Sequence, residues 1–153
     1  METVNFAKTE YIDLIYEYEK NNFFDEAYSK ETLLEMLKDN YLLKDNDNIF
    51  VIKNEDEVIG YVIFHISKDF TDIYKIFIRE NNRRKRYATK LLEEVEKISK
   101  RYDSKKIMIE VRAKNNNAIT FYSKNGFKNI SIRKDYYKNP NDDALIFEKL
   151  LEV

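Results

Sequence analysis

The apolar positions follow two different periods along the chain. Apolar residues spaced three and four apart predict amphipathic helices, whereas short alternating or continuous apolar runs predict strands. The helical pattern covers residues 9–18, an apolar stripe that follows Ser29, and residues 118–124. It also covers residues 83–102, a range that includes the segment leading into the helix. Thr9 and Ser29 are candidate N-caps of the first two helices. Gly126 stands where a left-handed residue is expected to end the last helix.

Strand patterns alternate with these helices. They cover residues 4–7, 49–52, 58–66, 73–78, 106–111, 127–133 and 144–150. In the fourth of these runs, Ile76 and Ile78 are expected on one face and Phe77 on the other. The order is strand, two helices, three strands, helix, strand, helix and two strands, which predicts a mixed α/β fold with one central sheet.

Composition narrows the class of protein. The 153 residues are 43% hydrophobic and 36% charged, which is typical of one globular domain, here residues 1–153. With 27 Lys and Arg against 28 Asp and Glu, the net charge is −1, which argues against a surface that binds nucleic acid throughout. The lack of Cys excludes disulfides and thiolate chemistry, and a single histidine argues against a His-rich metal centre.

The N-terminal segment and the length of the apolar runs indicate where in the cell the protein is expected. The first residues carry no basic segment followed by an apolar stretch, and no apolar run approaches the about 20 residues that span a bilayer. We therefore expect a cytoplasmic protein without a membrane partner, acting as a monomer or weak dimer. His65, which ends an apolar strand, receives no role.

A basic segment opens the longest predicted helix. Directly after an apolar strand come five basic residues and one acid: Arg79, Glu80, Arg83, Arg84, Lys85 and Arg86. A helix N-terminus has unpaired N–H groups and a partial positive charge, so the segment is a candidate pyrophosphate site. On charge alone, a solvated basic turn is the more common outcome of such a run.

Residues 76–92 resemble the acetyl-coenzyme A motif of the GCN5-related N-acetyltransferases. Arg83 and Ala88 match its first and last positions, whereas Arg86 stands where the family usually has a glycine that lets the backbone approach the pyrophosphate. Arg86 can still donate its amide if its φ is negative, and its guanidinium can add a phosphate contact.

The resemblance implies acetyl-coenzyme A as cosubstrate, no metal, and a central, mostly antiparallel sheet flanked by about four helices. A splayed strand pair would form the cleft for acetyl-coenzyme A, and strand backbone there would bind the pantetheine arm and polarise the acetyl carbonyl. The implied cofactor site consists of Ile76, Phe77, Ile78, Arg83, Arg84, Lys85, Arg86, Tyr87, Ala88, Thr89 and Asn115.

The second half of the chain carries a closer resemblance within this family. Residues 109–127, with Glu-Val-Arg on a strand and a Tyr before Gly-Phe, are similar to the ribosomal-protein-alanine N-acetyltransferases (RimI type). Residues 132–137 resemble the Arg-x-x-Tyr-Tyr of that subfamily, residues 142–145 its Glu-Asp-Ala-Leu ending, and residues 27–32 loosely its substrate loop. The resemblance covers essentially the whole chain.

Two side chains are candidates for proton transfer. An attacking amine must lose a proton, and Glu110, in an otherwise apolar strand, is a candidate general base. From spacing alone, an ion pair between Glu110 and Arg112 is at least as good an interpretation. The resemblance makes Tyr122 the general acid for the leaving thiolate, and the alternative is a core tyrosine.

The acceptor side depends mainly on the resemblance. It implies the N-terminal alanine of a small-subunit ribosomal protein as acceptor, and a binding site that includes Tyr28, Arg133, Tyr136, Tyr137 and Asp143. Aromatic walls with a few carboxylates suit a short cationic peptide, and they are equally suitable as plain loop surface. Two alternatives are the same fold acting on a small amine, such as a polyamine or aminoglycoside, and a non-catalytic RNA-binding module. The net charge argues against the second.

Overall fold

The helices and strands follow one another in the order that the periodicity predicts. The structure is a computed structural model that describes residues 1–37 and 43–152. Its strands are β1 (Glu2–Phe6), β2 (Asp47–Asn54), β3 (Glu57–Ile66), β4 (Phe70–Ile78), β5 (Lys106–Arg112), β6 (Lys128–Tyr137) and β7 (Asp142–Leu150). Its helices are α1 (Ile12–Phe23), α2 (Lys30–Met36), α3 (Tyr87–Arg101) and α4 (Asn116–Lys124), with 3-10 turns at Thr9–Tyr11, Phe24–Glu26 and Glu80–Asn82. None of the helices in this part of the chain has the length and apolar character to cross a membrane.

The strands form one sheet in the order β1-β2-β3-β4-β5-β7-β6. All neighbouring pairs are antiparallel except β4 and β5, which are parallel. A parallel pair needs a crossover connection, and α3 provides it. The predicted mixed α/β fold, with one mostly antiparallel sheet and four helices, is confirmed.

An apolar core lies on each face of the sheet. On one face, α3 and α4 cover the cluster that contains Ile107, Ile109, Val111 and Tyr122. On the other face, α1 and α2 cover a second cluster that contains Phe77. Ile78 and its partly buried neighbour Ile76 belong to the first cluster, so the predicted alternation along β4 is confirmed.

The helix ends agree with the predicted caps in two of three cases. Ser29 accepts a hydrogen bond from the Thr32 amide at 3.1 Å and caps α2. Gly126 has φ +92° after α4, and the Phe127 amide bonds back to the Tyr122 carbonyl at 3.0 Å, as in a Schellman motif. The expected cap at Thr9 is wrong, because a 3-10 turn precedes α1 and no side chain caps the helix at Tyr11.

The parallel strands β4 and β5 separate part-way along their length. Their pairing runs only from Phe70 opposite Lys106 to Ile73 opposite Ile109, although both strands continue beyond it. At the point of separation the register between β3 and β4 shifts, so that Tyr74 is an extra residue on β4. Such a bulge bends a strand, and the strands beyond it are splayed as the resemblance implies.

Candidate active site

The first turn of α3 lacks a side-chain cap among the residues that the structure describes. Its N-cap position is Arg86, with φ +65°, and Arg84 has φ +64°. The first helical bond runs from the Lys90 amide to the Arg86 carbonyl, at 3.1 Å. The amides of Tyr87, Ala88 and Thr89 therefore lie at the end of the helix where an anion is favoured.

The backbone at Arg86 corrects one expectation. Amide donation at Arg86 was expected on the condition of a negative φ, and the φ is instead positive. An L-residue in this left-handed region carries about 1–2 kcal/mol of strain, whereas glycine carries almost none. At this position the chain thus adopts a backbone conformation that glycine adopts freely, at the expense of local strain.

The basic side chains before α3 divide into two groups. Arg79 pairs with Glu57, and the Arg83 Nε donates to the Ile78 carbonyl at 2.8 Å. Arg84, Lys85 and Arg86 are exposed, as Arg83 is. Three exposed cations around uncapped amides form a site whose charge and donors fit the pyrophosphate of a nucleotide. In contrast, His, Asp and Glu side chains of the described residues nowhere form a group of three that could hold a metal ion.

Glu110 projects from β5 onto the face that carries α1 and α2. Its neighbours Ile109 and Val111 are buried in the opposite core, so strand alternation fixes its direction. The Arg133 Nη1 lies 3.0 Å from its Oε1. A hydrogen bond to Glu110 is the main reason that the pKa of Tyr136 is raised. The alternative ion pair between Glu110 and Arg112 is wrong, because Arg112 extends instead to Glu26.

A row of ionisable side chains crosses the same face beside Glu110. Asp47, His65 and Asp72 are register partners on β2, β3 and β4. The His65 Nδ1 lies 2.7 Å from an Asp47 carboxylate oxygen. Burial, and then the negative charge of Glu110, raise the pKa of Asp72. The ring of Tyr74 stacks on His65 at a centroid distance of 6.3 Å, so the bulged residue covers this row.

Tyr122 lies on the other face of the sheet. It is buried in the core, and its ring contacts those of Phe121, Phe127 and Phe147 at centroid distances of 5.0, 5.2 and 6.5 Å. This packing agrees with the core-tyrosine alternative. Burial alone raises the pKa of Tyr122, which keeps the phenol protonated and able to donate.

Glu110 and Tyr122 lie at the same level of the sheet, on opposite faces. Phe147, which contacts the Tyr122 ring, is the register partner of Ile109. Ile109 is also the last residue of β5 that pairs with β4. Glu110 therefore follows directly on the row at which the two strands separate, whereas the Tyr122 ring packs against Phe147 of β7, beside β5, on the other face.

Three of the predicted acceptor-site residues gather around Glu110 and Arg112. The Tyr136 ring lies 5.5 Å from the Arg133 guanidinium and meets the Tyr137 ring edge-on at 5.0 Å. The Tyr137 ring lies 4.3 Å from the Arg112 guanidinium, and burial is the first cause that raises its pKa to about 12.

The other predicted residues have local structural contacts. Asp143 accepts from the Asp135 amide at 2.8 Å and stays within the hairpin of β6 and β7. The Asn115 side chain accepts from the Ala118 amide at 3.1 Å, so it caps α4. The ring of Tyr28 lies 4.5 Å from the Lys75 ammonium group, on the face that carries Glu110.

Sequence reasoning missed a buried ionic cluster beneath this face. Glu19 is fully buried and accepts hydrogen bonds from the Tyr61 hydroxyl, from Lys75 Nζ at 2.7 Å and from the Tyr28 amide at 3.0 Å. Burial lowers the pKa of Lys75, although Glu19 opposes the shift. The signal was present, because Glu19 continues the helical spacing of Ile12 and Ile15 and so lies on the buried stripe of α1.

Comparison with known proteins assigns the family. The model of the acetyltransferase (GNAT) family matches residues 12–127. The chain belongs to this family. It is therefore an enzyme of the N-acetyltransferase class, as the acetyl-coenzyme A motif and the Glu-Val-Arg strand imply, and its fold is the one that the resemblance implied.

The curated relatives are named as N-acetyltransferases. The chain is 29% identical over 139 residues to a Bacillus subtilis (strain 168) protein provisionally named a ribosomal protein bS18-alanine N-acetyltransferase, covering 91% of this chain and 89% of that one. It is 33% identical over 114 residues to an N-alpha-acetyltransferase of Saccharolobus solfataricus, covering 66% and 68%.

Solved structures show the same fold at lower identity. The ribosomal-protein-S18-alanine N-acetyltransferase from Escherichia coli superposes with a TM-score of 0.85 at 21% identity, covering 100% of this chain and 96% of that one. A PaiA N-acetyltransferase from Thermoplasma acidophilum, solved in complex with coenzyme A, superposes with a TM-score of 0.78 at 22% identity, covering 98% and 99%.

Proposed function

We propose that the protein transfers the acetyl group of acetyl-coenzyme A to the N-terminal α-amine of an alanine in a ribosomal protein, with residues 1–153 as one catalytic domain. One observation carries the proposal: β4 and β5 separate after Ile109, directly before Glu110. Tyr122 would reach the opening from the opposite face of the sheet. The uncapped start of α3 follows the end of β4 and supplies the site for the nucleotide. The bacterial relative named for alanine acetylation of bS18 supports this acceptor.

The cosubstrate site would extend from the opening to the first turn of α3. Beyond Ile73, β4 has no partner on its β5 side, so the β5-facing edge of Ile76, Phe77 and Ile78 would bind the pantetheine arm. The Ile78 carbonyl already accepts from the Arg83 Nε, and the Phe77 carbonyl lies against β3. Gly60 keeps β3 close here, because a Cβ at that position would collide with the Phe77 carbonyl. The amides of residues 87–89 and the side chains of residues 84–86 would bind the pyrophosphate. When bound, acetyl-coenzyme A supplies the activated acetyl group.

Glu110 would act as the general base. An α-amine has a pKa near about 8, so it must lose a proton before or during attack on the thioester carbon. Glu110 takes this proton directly or through one water, while the new carbon–nitrogen bond forms. Arg133, at 3.0 Å, would hold the carboxylate in place.

Tyr122 would act as the general acid from the opposite face. Collapse of the tetrahedral intermediate breaks the carbon–sulfur bond, and the phenol O–H donates its proton to the departing sulfur. Burial keeps the hydroxyl protonated near neutral pH, as a donor must be. The two proton transfers therefore occur on opposite faces of the splayed strands.

The acceptor would approach across the face that carries α1 and α2. Tyr28, Arg133, Tyr136 and Tyr137 lie on this side with Glu110, and Asp143 holds the hairpin that carries the two tyrosines. Aromatic walls and a partly exposed carboxylate suit a cationic amine terminus. A cytoplasmic location stays a prediction from the sequence.

The acceptor is tested by turnover. Purified protein and acetyl-coenzyme A are incubated with a peptide that begins with Ala, with the same peptide already acetylated at its N-terminus, and with polyamine and aminoglycoside panels. We expect kcat/KM for the free Ala peptide to exceed that of every small amine at least about tenfold, and no turnover of the blocked peptide. A small amine that turns over faster would assign the small-molecule alternative instead.

The catalytic roles are tested by two conservative variants. Glu110→Gln and Tyr122→Phe should each lower kcat about 100-fold while leaving the coenzyme A Kd within about twofold of wild type. The thermal midpoint of each variant controls for folding, which matters most for the buried Tyr122. An unchanged kcat at pH 7 in either variant removes that residue from its role.

A further inference from the structure

Arg112, two residues after Glu110 on β5, connects two segments that are far apart in the sequence. The Arg112 Nε and Nη2 both donate to the Glu26 Oε2, at 3.3 and 3.0 Å. Its Nη1 donates to the Pro140 carbonyl at 2.9 Å, and its Nη2 also donates to the Lys138 carbonyl at 3.3 Å. One guanidinium thus joins the 3-10 turn after α1 to the turn between β6 and β7.

The surrounding contacts make this arrangement specific for arginine. The Tyr137 ring packs on the guanidinium at 4.3 Å, so the plane of the group is fixed as well as its charge. Three nitrogens in a rigid planar fork reach partners on two separate segments, a geometry that the compact ammonium group of a lysine does not reproduce. The Arg112 side chain is only 21% exposed, so its polar contacts are partly shielded from water.

Glu26 is held from two directions. Its carboxylate accepts from Arg112, and its carbonyl accepts from the Lys75 Nζ at 2.9 Å. Lys75 is in turn anchored by the buried Glu19 at 2.7 Å. Lys75 therefore ties the turn after α1 to the interior. Arg112 ties the β6–β7 turn to the turn after α1.

We propose that Arg112 is the positioning residue of the acceptor groove, which sets the spacing between the turn after α1 and the β6–β7 turn over Glu110. This inference rests on the proposed function, because it takes the amine to enter between these segments. In this role Arg112 would act through the two turns, without contact to the acetyl group or the cosubstrate. Its loss is expected to weaken acceptor binding and leave coenzyme A binding intact.

The test compares Arg112→Lys, Glu26→Gln and the double variant with wild type, and Arg101→Lys, at an exposed position in the last turn of α3, is the matched control. We expect Arg112→Lys to raise KM for the Ala peptide about tenfold, with the coenzyme A Kd and the thermal midpoint close to wild type. The double variant should be no worse than Arg112→Lys, because both single changes break the same contact.

Hydrogen exchange on the chain without substrates gives a second readout. Amides of residues 24–28 and 137–141 should exchange faster together in Arg112→Lys, and not in Arg101→Lys. Unchanged exchange overturns the proposal, and so does an unchanged acceptor KM in an enzyme that turns over the peptide. If wild type acetylates no peptide at all, the proposed acceptor is wrong, and the exchange data alone decide whether Arg112 couples the two segments.

Discussion

Replacing Arg86 by glycine probes the strained start of α3. Arg86 has φ +65°, where an L-residue carries about 1–2 kcal/mol of strain that Arg86→Gly would remove. Against this, glycine loses about 0.5–1 kcal/mol more backbone freedom on folding. The net expectation is a gain of about 0.5 kcal/mol in the free energy of unfolding, or about 1–2 °C in the thermal midpoint of a chain of this size.

Comparing Arg86→Gly with Arg86→Ala distinguishes the contribution of the backbone conformation to coenzyme A binding from that of the Arg86 side chain. An exposed cation beside a phosphate contributes about 0.2–1 kcal/mol, so loss of the guanidinium alone should weaken coenzyme A binding at most about fivefold. Arg86→Ala loses the guanidinium and keeps the strain, whereas Arg86→Gly loses both. We therefore expect Arg86→Gly to bind coenzyme A at least as tightly as Arg86→Ala, and to stay near wild type in turnover.

Thermal unfolding of the two variants tests the strain argument, and calorimetric titration with coenzyme A tests the role of the guanidinium. A midpoint of Arg86→Gly that lies below that of Arg86→Ala would refute the strain argument. A collapse of coenzyme A affinity in both variants, far beyond fivefold, would show that the guanidinium itself has become a main phosphate ligand.

Three further predictions concern stability and are checked by chemical denaturation. Glu19→Gln should lose about 3 kcal/mol, because Lys75 is left buried without its counter-charge, whereas the exposed Glu17→Gln should stay within about 0.5 kcal/mol. The pKa of Asp72 is raised in the folded protein, so its neutral form is favoured by folding. The contribution of this carboxyl group to the free energy of unfolding is therefore full below its pKa in the unfolded chain, near 3.8, and is lost as the pH rises through its pKa in the folded protein. Asp72→Asn should therefore be more stable than wild type at pH 7, and the difference should vanish in acid. Gly126→Ala should lose about 1 kcal/mol, because its φ is +92°.

The sequence predicted the order of elements because each relies on local periodicity. The faces of β4, the cap at Ser29 and the left-handed Gly126 all follow from short-range rules and are confirmed. The start of α1 was misplaced, because a 3-10 turn at Thr9–Tyr11 shares the composition of a first helical turn. Such boundaries depend on backbone geometry that the residue types alone do not specify.

The partners of charged side chains were harder to predict than their positions. Spacing on one strand suggested that Glu110 pairs with Arg112, yet Arg133 of β6 pairs with Glu110 and Arg112 reaches Glu26. These pairs join residues far apart in the sequence, so they depend on how the strands are arranged. The positive φ of Arg86 is likewise imposed by the turn before α3, against the preference of the residue.

The most direct measurement of the central claim is an NMR titration of the isotopically labelled protein with coenzyme A, following backbone amides. We expect the shifts to concentrate at residues 84–90, at the start of α3, and at residues 76–78, on the splayed part of β4. Saturable binding that shifts amides elsewhere and leaves these two segments unchanged would contradict a coenzyme A site at the opening beside β4 and the start of α3.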